Sequence, residues 1–205
     1  MSHPTTKSPE RDGIAPVGPT HHQEAARIIT DALLHDPGWL AVGPDRTAHR
    51  RSVALRYHRA ALRVMDRHGG PVYGAFRDGR LTGVAATFAA GLYPPPARTF
   101  LSYVPGFVLA GPPAIVRGLK VSAVQDAGHP KDRHVFLWFL AVDTTRQREG
   151  IGRALLAHVF EGADAAVYLD TSNPANRPYY ASVGFEEIGS GALPRGARMW
   201  FMRRP

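Results

Sequence analysis

The 205-residue chain contains no cysteine. Disulfides, thiolate nucleophiles and cysteine-ligated zinc sites are therefore excluded. Long apolar segments are also missing, since the longest unbroken run, VFLWFLAV at 135–142, falls far short of the roughly 20 residues that a membrane span needs. The opening residues, MSHPTTKSPERDG, lack the apolar stretch of a signal peptide. We therefore expect a soluble cytoplasmic protein with no membrane partner and no metal.

Acidic residues are the scarcer of the two charge types. The chain has 25 Lys and Arg against 17 Asp and Glu, which gives a formal net charge of +8. This excess favours anionic partners but does not choose among nucleic acid, a membrane surface and a phosphorylated cofactor. No motif that reads DNA or RNA accompanies the charge, so we do not expect a nucleic-acid partner.

The order of apolar patterns predicts one α/β domain over 13–205, after a flexible N-terminus over 1–12. Its mixed sheet is flanked by helices. The first helix is predicted to start at an N-cap, Thr20, and to break at Pro37 and Gly38. The predicted strands lie at 13–18, on both sides of a tight turn at Asp78-Gly79, at 134–142, at 165–172 and in the last twenty residues, and a second helix runs from about Asp45 to His68.

Two features of the first half permit two interpretations each. Arg56, Arg59, Arg63 and Arg67 recur at helical spacing, and such a basic stripe is either a solvated face or a wall that attracts anions. The segment 100–128 is apolar but interrupted by Pro and Gly. It is too apolar for a solvated linker, so it packs on the body of the protein or lines a pocket.

The stretch QREGIGRALL at 147–156 follows the strand at 134–142 and places Gly150 and Gly152 at the start of a predicted helix. Unpaired first-turn amides and the helix dipole make such a start an anion site, and glycines let a ligand approach the backbone closely. The stretch lacks the lysine of a phosphate-binding Walker loop and the third glycine of a dinucleotide fingerprint. Taken alone, it is either a phosphate cradle or a structural turn.

A resemblance to a known family favours the phosphate cradle over the structural turn. The pattern Gln147-Arg148-x-Gly150-x-Gly152 after a buried strand resembles motif A of the GNAT superfamily of acetyl-CoA-dependent N-acetyltransferases. The stretch YLDTSNPANRPYYASVGF at 168–185 resembles motif B of that family, with Tyr180 four residues before a Gly-Phe pair. This stretch and HDP at 35–37 are similar to the branch containing puromycin N-acetyltransferase. The resemblance implies a GNAT-type splayed sheet with acetyl-CoA between the strands at 134–142 and 165–171.

The resemblance also implies which residues hold acetyl-CoA. Backbone groups of Leu140, Ala141 and Val142 would bind its pantetheine arm. Its pyrophosphate would lie on the turn and first helical residues, namely Gln147, Arg148, Gly150, Ile151, Gly152 and Arg153. Asn173 and Asn176 border the next short helix. Pro178 suits a first helical turn, which predicts Asn176 as the N-cap and leaves Asn173 free to contact the cofactor.

Acetyl transfer to an amine requires a neutral amine, a donor for the developing oxyanion and a proton for the departing thiolate. Tyr180 is the predicted acid, because a phenol is protonated at neutral pH. Asp170 is either the base or a structural acceptor for loop amides, and His134 is a second candidate base. Without a cysteine nucleophile, direct attack within a ternary complex is the expected route.

The acceptor is expected to contact His35, Asp36 and Trp39, although an aspartate before Pro-Gly is also an ordinary turn former and the turn role is favoured for Asp36. Four aromatic residues, Tyr93, Phe100, Tyr103 and Phe107, either line a pocket or pack in the core. We expect a small-molecule primary amine as acceptor. The sequence leaves open a protein lysine or N-terminus as acceptor, a catalytically silent CoA-binding regulatory domain, and the choice between monomer and homodimer.

Overall fold

A computed structural model describes residues 12–68 and 70–205. The strands are β1 Asp12–Pro16, β2 Val72–Arg77, β3 Arg80–Phe88, β4 Val135–Val142, β5 Val167–Thr171, β6 Glu186–Ala192 and β7 Arg198–Arg204. The helices are α1 His22–Leu33, α2 Pro37–Val42, α3 Thr47–Arg67, α4 Val104–Ala110, α5 Pro112–Gly128, α6 Ile151–Glu161 and α7 Asn176–Ala181. Short 3-10 helices cover Pro19–His21, Ala97–Tyr103 and Pro194–Gly196.

The seven strands form one sheet in the order β1-β2-β3-β4-β5-β7-β6. Every neighbouring pair is antiparallel except β4 and β5, which run parallel. These two strands pair only at Val135↔Val167 and Phe136↔Tyr168 and then separate. The predicted α/β class with a mixed, splayed sheet is therefore confirmed, and the sheet opens towards the carboxyl ends of β4 and β5.

Strand β4 contains one residue more than its neighbour β3 across the sheet. Ala86 pairs with Phe139 while Thr87 pairs with Leu137, so Trp138 is the additional residue of a β-bulge. Before the bulge, the amide of Val135 donates to Ala166 on the β5 side. After it, the amide of Asp143 donates to Thr82 on the β3 side. Two odd-numbered amides thus point to opposite sides of the same strand.

Helices cover both faces of the sheet because their apolar stripes match its two apolar faces. On one face, Ile29 of α1 and Leu62 of α3 share a core with Tyr168. On the other, Leu155 of α6 shares a core with Leu169. The alternation of Tyr168 and Leu169 follows from the period of two along a strand. It also sends Asp170 to the same face as Tyr168.

Three local predictions meet different outcomes. The Thr20 N-cap is wrong, because a 3-10 turn over Pro19–His21 precedes α1 and makes His21 its N-cap, without a side-chain cap bond. The break at Pro37 is confirmed, and a new helix, α2, begins there. The predicted flexible N-terminus lies outside the described residues as far as residue 11, and Asp12 begins β1.

The apolar segment 100–128 becomes the end of a 3-10 helix followed by α4 and α5, which pack on α3, α2 and β6. In the part of the chain that the structure covers, no helix has the length and apolar character needed to cross a bilayer. The side chains of Arg56, Arg63 and Arg67 are exposed on α3. This exposure agrees with the solvated-face interpretation of the basic stripe.

Candidate functional site

The open edge of β4 presents free backbone amides. Since the amide of Asp143 points towards β3 and successive amides alternate, those of Leu140 and Val142 point away from β3, to the side where β5 has separated. Ala141 directs its own amide to β3. An extended ligand lying in the gap can therefore pair with Leu140 and Val142 as an additional strand would.

A cluster of unpaired amides continues from this edge. Within the described residues, the seven consecutive N–H groups from Gln147 to Arg153 donate to no protein acceptor, whereas Arg146 before them donates to Asp143 and Ala154 after them to Gly150. Exposed amides at the start of an 11-residue helix, α6, attract anions. The four amides of any helix start are unpaired, and here the three residues before them, Gln147 to Glu149, extend the unpaired run.

The turn is held in its conformation by local bonds and by two left-handed residues. Asp143 accepts from the amide and the hydroxyl of Thr145, at 2.9 and 2.7 Å. Glu149 is turned aside to an ion pair with Arg146. Arg148 has φ +70° and Gly150 φ +80°, and the second needs glycine most, as it forms the left-handed N-cap of α6.

Gly152, on the first turn of α6, lies next to Tyr179 of α7. A Cβ there would stand 3.0 Å from the Tyr179 hydroxyl and 3.6 Å from Val142. The structure therefore brings together Val142 of β4, the start of α6 and α7 at one end of the sheet. Open amides along β4 and the amide cluster beyond them fit an elongated ligand that carries a phosphate group.

Three predicted side chains also meet at this end of the sheet. Asp36 begins α2, where its carboxylate accepts from the amide of Gly38 at 2.9 Å. A Cβ on Gly38 would lie 2.9 Å from the Ser172 hydroxyl, so the start of α2 packs against the end of β5. Asp170 lies two residues before Ser172. Tyr180, which is 8% exposed, lies close enough to feel the charge of both carboxylates.

The electrostatics of these groups are set by burial. The pKa of Asp170 is raised to about 6, chiefly by burial and to a smaller extent by the nearby Asp36, against the lowering effect of a hydrogen bond from Gln125. Burial also raises the pKa of Asp36, against the effect of the Gly38 amide. The pKa of the Tyr180 hydroxyl is raised by burial first and then by Tyr179 and the two carboxylates. Tyr180 is thus fully protonated at neutral pH, while Asp170 titrates just below it.

Sequence reasoning missed Gln125 of α5. Its side-chain amide lies 3.4 and 3.3 Å from the two carboxylate oxygens of Asp170. Tyr57 of α3 was also missed, and Tyr93 had been only a pocket-or-core candidate. The charge of Asp170 adds to burial in raising the pKa of both hydroxyls, that of Tyr93 to about 12. No motif marks these three residues, because each comes from a segment outside the two motif stretches.

His134 lies at the opposite end of β4. Its Nδ1 donates to the Asp132 carbonyl at 2.7 Å, so its Nε2 accepts from His129 at 3.0 Å. Phe136 is level with Tyr168, so Asp170 is four residues further along the sheet than His134, about 13 Å at roughly 3.3 Å per residue. The structure does not bring His134 to Asp170 and Tyr180.

The local bonds of the two asparagines differ from those expected. Asn173 accepts from the amide of Ala175 at 3.0 Å, which makes it the turn residue before α7. The Asn176 N-cap prediction is wrong, since Asn176 is the first helical residue and follows the N-cap Ala175. Its side-chain amide donates to the Thr171 hydroxyl at 3.3 Å. The bond fixes Asn176 beside the end of β5.

The three acceptor candidates, His35, Asp36 and Trp39, do not all lie at the same place. His35 is exposed. Trp39 is half-buried and its ring packs edge-on against Tyr57 and His58, with centroids 5.5 and 5.2 Å apart. Asp36 is therefore the one of the three candidates that the structure places beside Asp170.

Among the described residues there is no group of three or more histidine, aspartate or glutamate side chains that could hold a metal ion.

Comparisons with known proteins agree with this geometry. Residues 39–185, more than two thirds of the chain, match the profile of the acetyltransferase (GNAT) family. A Corynebacterium glutamicum structure described as histone acetyltransferase HPA2 and related acetyltransferase has a TM-score of 0.65 and 20% identity over 95% of this chain and 96% of its own. At such identities the likeness concerns the fold.

Two further solved structures share the fold. The ribosomal-protein-alanine N-acetyltransferase of Brucella melitensis has a TM-score of 0.58 and 20% identity, covering 94% of this chain and 98% of its own. The acetyltransferase yncA of Salmonella typhimurium, solved with its cofactor acetyl-CoA, has a TM-score of 0.56 and 17% identity over 93% of this chain and 91% of its own.

Proposed function

The chain belongs to the GNAT acetyltransferase family, and from this we propose that it transfers the acetyl group of acetyl-CoA to the primary amine of a small molecule. One observation carries the proposal. The free amides of β4 and of the turn before α6 lead, along one continuous end of the sheet, to a half-buried carboxylate, Asp170, and a protonated phenol, Tyr180.

Residues of β4 and α6 would hold acetyl-CoA. Leu140 and Val142 would pair with its extended arm through their free amides, with Ala141 between them fixing the strand to β3. The unpaired amides of the turn would take the pyrophosphate: Gln147, Arg148, Gly150, Ile151, Gly152 and Arg153. The Asn173 and Asn176 side chains border the same gap from β5. When bound, acetyl-CoA supplies an acetyl group activated as a thioester.

Tyr180 is the proposed acid. Its hydroxyl has no hydrogen-bond partner among the described residues and is therefore available to a ligand. Burial raises its pKa, so the hydroxyl stays protonated at neutral pH and is able to donate to the sulfur as negative charge develops there. Tyr179, by contrast, directs its hydroxyl at the first turn of α6.

Asp170 is the proposed base. A carboxyl group with a pKa of about 6 is mostly ionised at neutral pH, yet holds a proton more readily than an ordinary aspartate. Its hydrogen bond to Gln125 leaves the carboxylate lone pairs on the other side free. His134 takes no part in the proposal because His129 occupies its Nε2 at the far end of β4.

Enclosure of Asp170 supports a small-molecule acceptor. Asp36, Tyr57, Tyr93 and Gln125 approach it from four separate segments of the chain. A carboxylate that several segments surround is reached more easily by the end of a small amine than by the backbone of a folded protein. The half-buried Trp39 supports this enclosure by packing behind Tyr57, while the exposed His35 would stand at its rim.

The test is CoA release from acetyl-CoA with three sets of acceptors: small primary amines, lysine-containing peptides and peptides with free N-termini. We expect turnover with small amines, at least about 100-fold reduced in Tyr180→Phe because a positioned acid contributes about that factor or more. Faster turnover with the peptides than with the small amines would mean that the acceptor is a protein. Background rates with every acceptor, together with tight acetyl-CoA binding, would identify a CoA-binding regulatory domain instead.

A further inference from the structure

Two carboxylates at the proposed acceptor site have no cationic partner. Asp36 accepts only from the Gly38 amide and Asp170 only from Gln125. No lysine, arginine or histidine within the described residues bonds either carboxylate, although the chain has 25 Lys and Arg. Six of those arginines pair with carboxylates elsewhere on the surface. The shortage of positive charge at Asp36 and Asp170 is therefore local.

The two carboxylates are close enough to act on one another. The start of α2, which Asp36 caps, packs on the end of β5 through Gly38 and Ser172. The negative charge of Asp36 accordingly raises the pKa of Asp170. Two like charges held together out of water repel, and a cation between them relieves the repulsion.

Tyrosines lie near the two carboxylates. Tyr168 is fully buried, and its hydroxyl has no hydrogen-bond partner among the described residues. It lies on the same face of β5 as Asp170 and feels that charge. A buried hydroxyl without a partner is costly, and a polar group bound within its reach would lessen that cost. The rings of Tyr57 and Tyr93 are also near, and aromatic faces attract cations.

We infer that the acceptor enters this site as a cation and that Asp36 selects amines with no carboxylate beside the reacting nitrogen, in preference to α-amino acids. The inference rests on the proposed function and narrows its acceptor class. A carboxylate on the acceptor would stand next to Asp36 and Asp170 with no basic side chain to balance it. An ammonium group alone would be attracted by both.

The proton count is consistent with this arrangement. Asp170 takes one proton from the bound ammonium, which leaves the neutral amine that attacks the thioester carbonyl. The C–N bond forms, the C–S bond breaks, and Tyr180 gives its hydroxyl proton to the sulfur. Tyr180 recovers a proton from the nitrogen as the amide forms. Asp170 releases its proton to solvent, so one proton leaves per acetyl group transferred.

The experiment uses acceptors that differ in the group next to the amine, which is hydrogen, a carboxylate or a methyl ester. One set is 2-phenylethylamine, phenylalanine and phenylalanine methyl ester; the other is isobutylamine, valine and valine methyl ester. In the wild-type protein, kcat/KM for the amine and the ester should exceed that for the amino acid by at least about tenfold, because an added like charge in a half-buried site is strongly repelled. The ester controls for size, since it keeps the added group but removes its charge.

Asp36→Asn is the matched variant. Asparagine is as good an N-cap as aspartate, so α2 keeps its bond to Gly38. The preference for amine over amino acid should shrink to within about threefold, because the charge that repels the carboxylate is gone. An unchanged preference in Asp36→Asn, or wild-type use of amino acids as good as that of amines, would overturn the inference.

Calorimetric binding separates this inference from the proposed function. Titration of isobutylamine and of valine into the CoA-bound protein measures selection without turnover. If isobutylamine binds more tightly than valine, and this difference disappears in Asp36→Asn, the inference is supported. A lack of acetylation with every acceptor would then count against the proposed function alone. Equal binding of both compounds contradicts the inference, even where acetylation is fast.

Discussion

Gln125 on α5 donates its side-chain amide to both carboxylate oxygens of Asp170, at 3.4 and 3.3 Å. The donor lies in the apolar segment 100–128 and the acceptor in β5. Arg117 holds the same helix to the carbonyls of Val42 and Gly43 at the end of α2, at 3.1 Å each. Helix α5 therefore connects the segment that carries Asp36 to the carboxylate that we assign as the base.

This connection predicts opposite shifts in pH dependence for two variants. Activity requires ionised Asp170, so kcat/KM of the wild type should fall as pH drops below about 6. Gln125→Leu removes a bond that lowers the pKa of Asp170, so this limb should move to higher pH. Asp36→Asn removes a charge that raises it, so the limb should move to lower pH. Shifts in the same direction, measured with isobutylamine, would contradict the assignment of Asp170 as the base.

Tyr180→Phe should reduce kcat by about 100-fold or more, since it removes one proton donor and nothing else. The KM for acetyl-CoA should stay within about threefold because the amides that hold the cofactor are unaltered. Tyr73→Phe is the control, as the Tyr73 ring packs on His158 away from the site, at a centroid distance of 4.6 Å. Steady-state kinetics on both variants distinguish a donor from a packing residue.

Gly150→Glu should weaken acetyl-CoA binding by at least tenfold, an effect of about 1.4 kcal/mol, because a carboxylate would stand among amides that bind an anion. The change also strains a backbone with φ +80°. Gly111→Glu provides the matched control, since Gly111 has φ +78° and likewise has open space at its Cβ. Both variants should melt at lower temperatures than the wild type, Gly111→Glu by the larger amount because its ψ of 164° is open essentially only to glycine. Gly111→Glu should nevertheless keep its affinity for acetyl-CoA in calorimetry.

Asp170→Asn should lose activity and gain stability at pH 8. The pKa of Asp170 in the folded protein, about 6, exceeds the ordinary value of 3.8. Folding therefore favours the protonated form, so stability falls as pH rises from about 3.8 to about 6 and the loss is complete above that. The variant should melt at a higher temperature than the wild type at pH 8, with the gain disappearing towards pH 4. Asp132→Asn is the control with the opposite sign, because Arg203 holds the pKa of Asp132 below its usual range.

The sequence was sufficient to predict the elements that follow local rules. The turn at Asp78-Gly79, with φ of +52° and +72°, joins β2 to β3 as its residue types indicate. The strand at 134–142 and the helix after Gly150 agree with β4 and α6 within about a residue. GNAT membership, predicted from two motifs, is confirmed. The puromycin N-acetyltransferase branch and the cytoplasmic location stay predictions.

Contacts between distant segments account for what the sequence did not reveal. Asp36 and Asp170 were weighed separately, each with a structural role as the alternative, because nothing in the sequence tells that the start of α2 packs on the end of β5. Gln125 lies in a helix whose pattern indicated only burial. His134 seemed a candidate base from its titration range alone, and its bond to His129 was not predictable. Such pairings depend on tertiary packing rather than on local propensity.

The additional residue Trp138 changes the phase of β4. Ahead of it, the odd-numbered amide of Val135 serves the pairing with β5, and beyond it the odd-numbered amide of Asp143 serves the pairing with β3. If β4 kept Trp138 but paired without the bulge, regular alternation would turn the amides of Leu140 and Val142 towards β3. Asp170 and Tyr180 come from other segments and would stay in place. The protein would then have its proposed chemical groups but no edge on which to hold the acetyl donor.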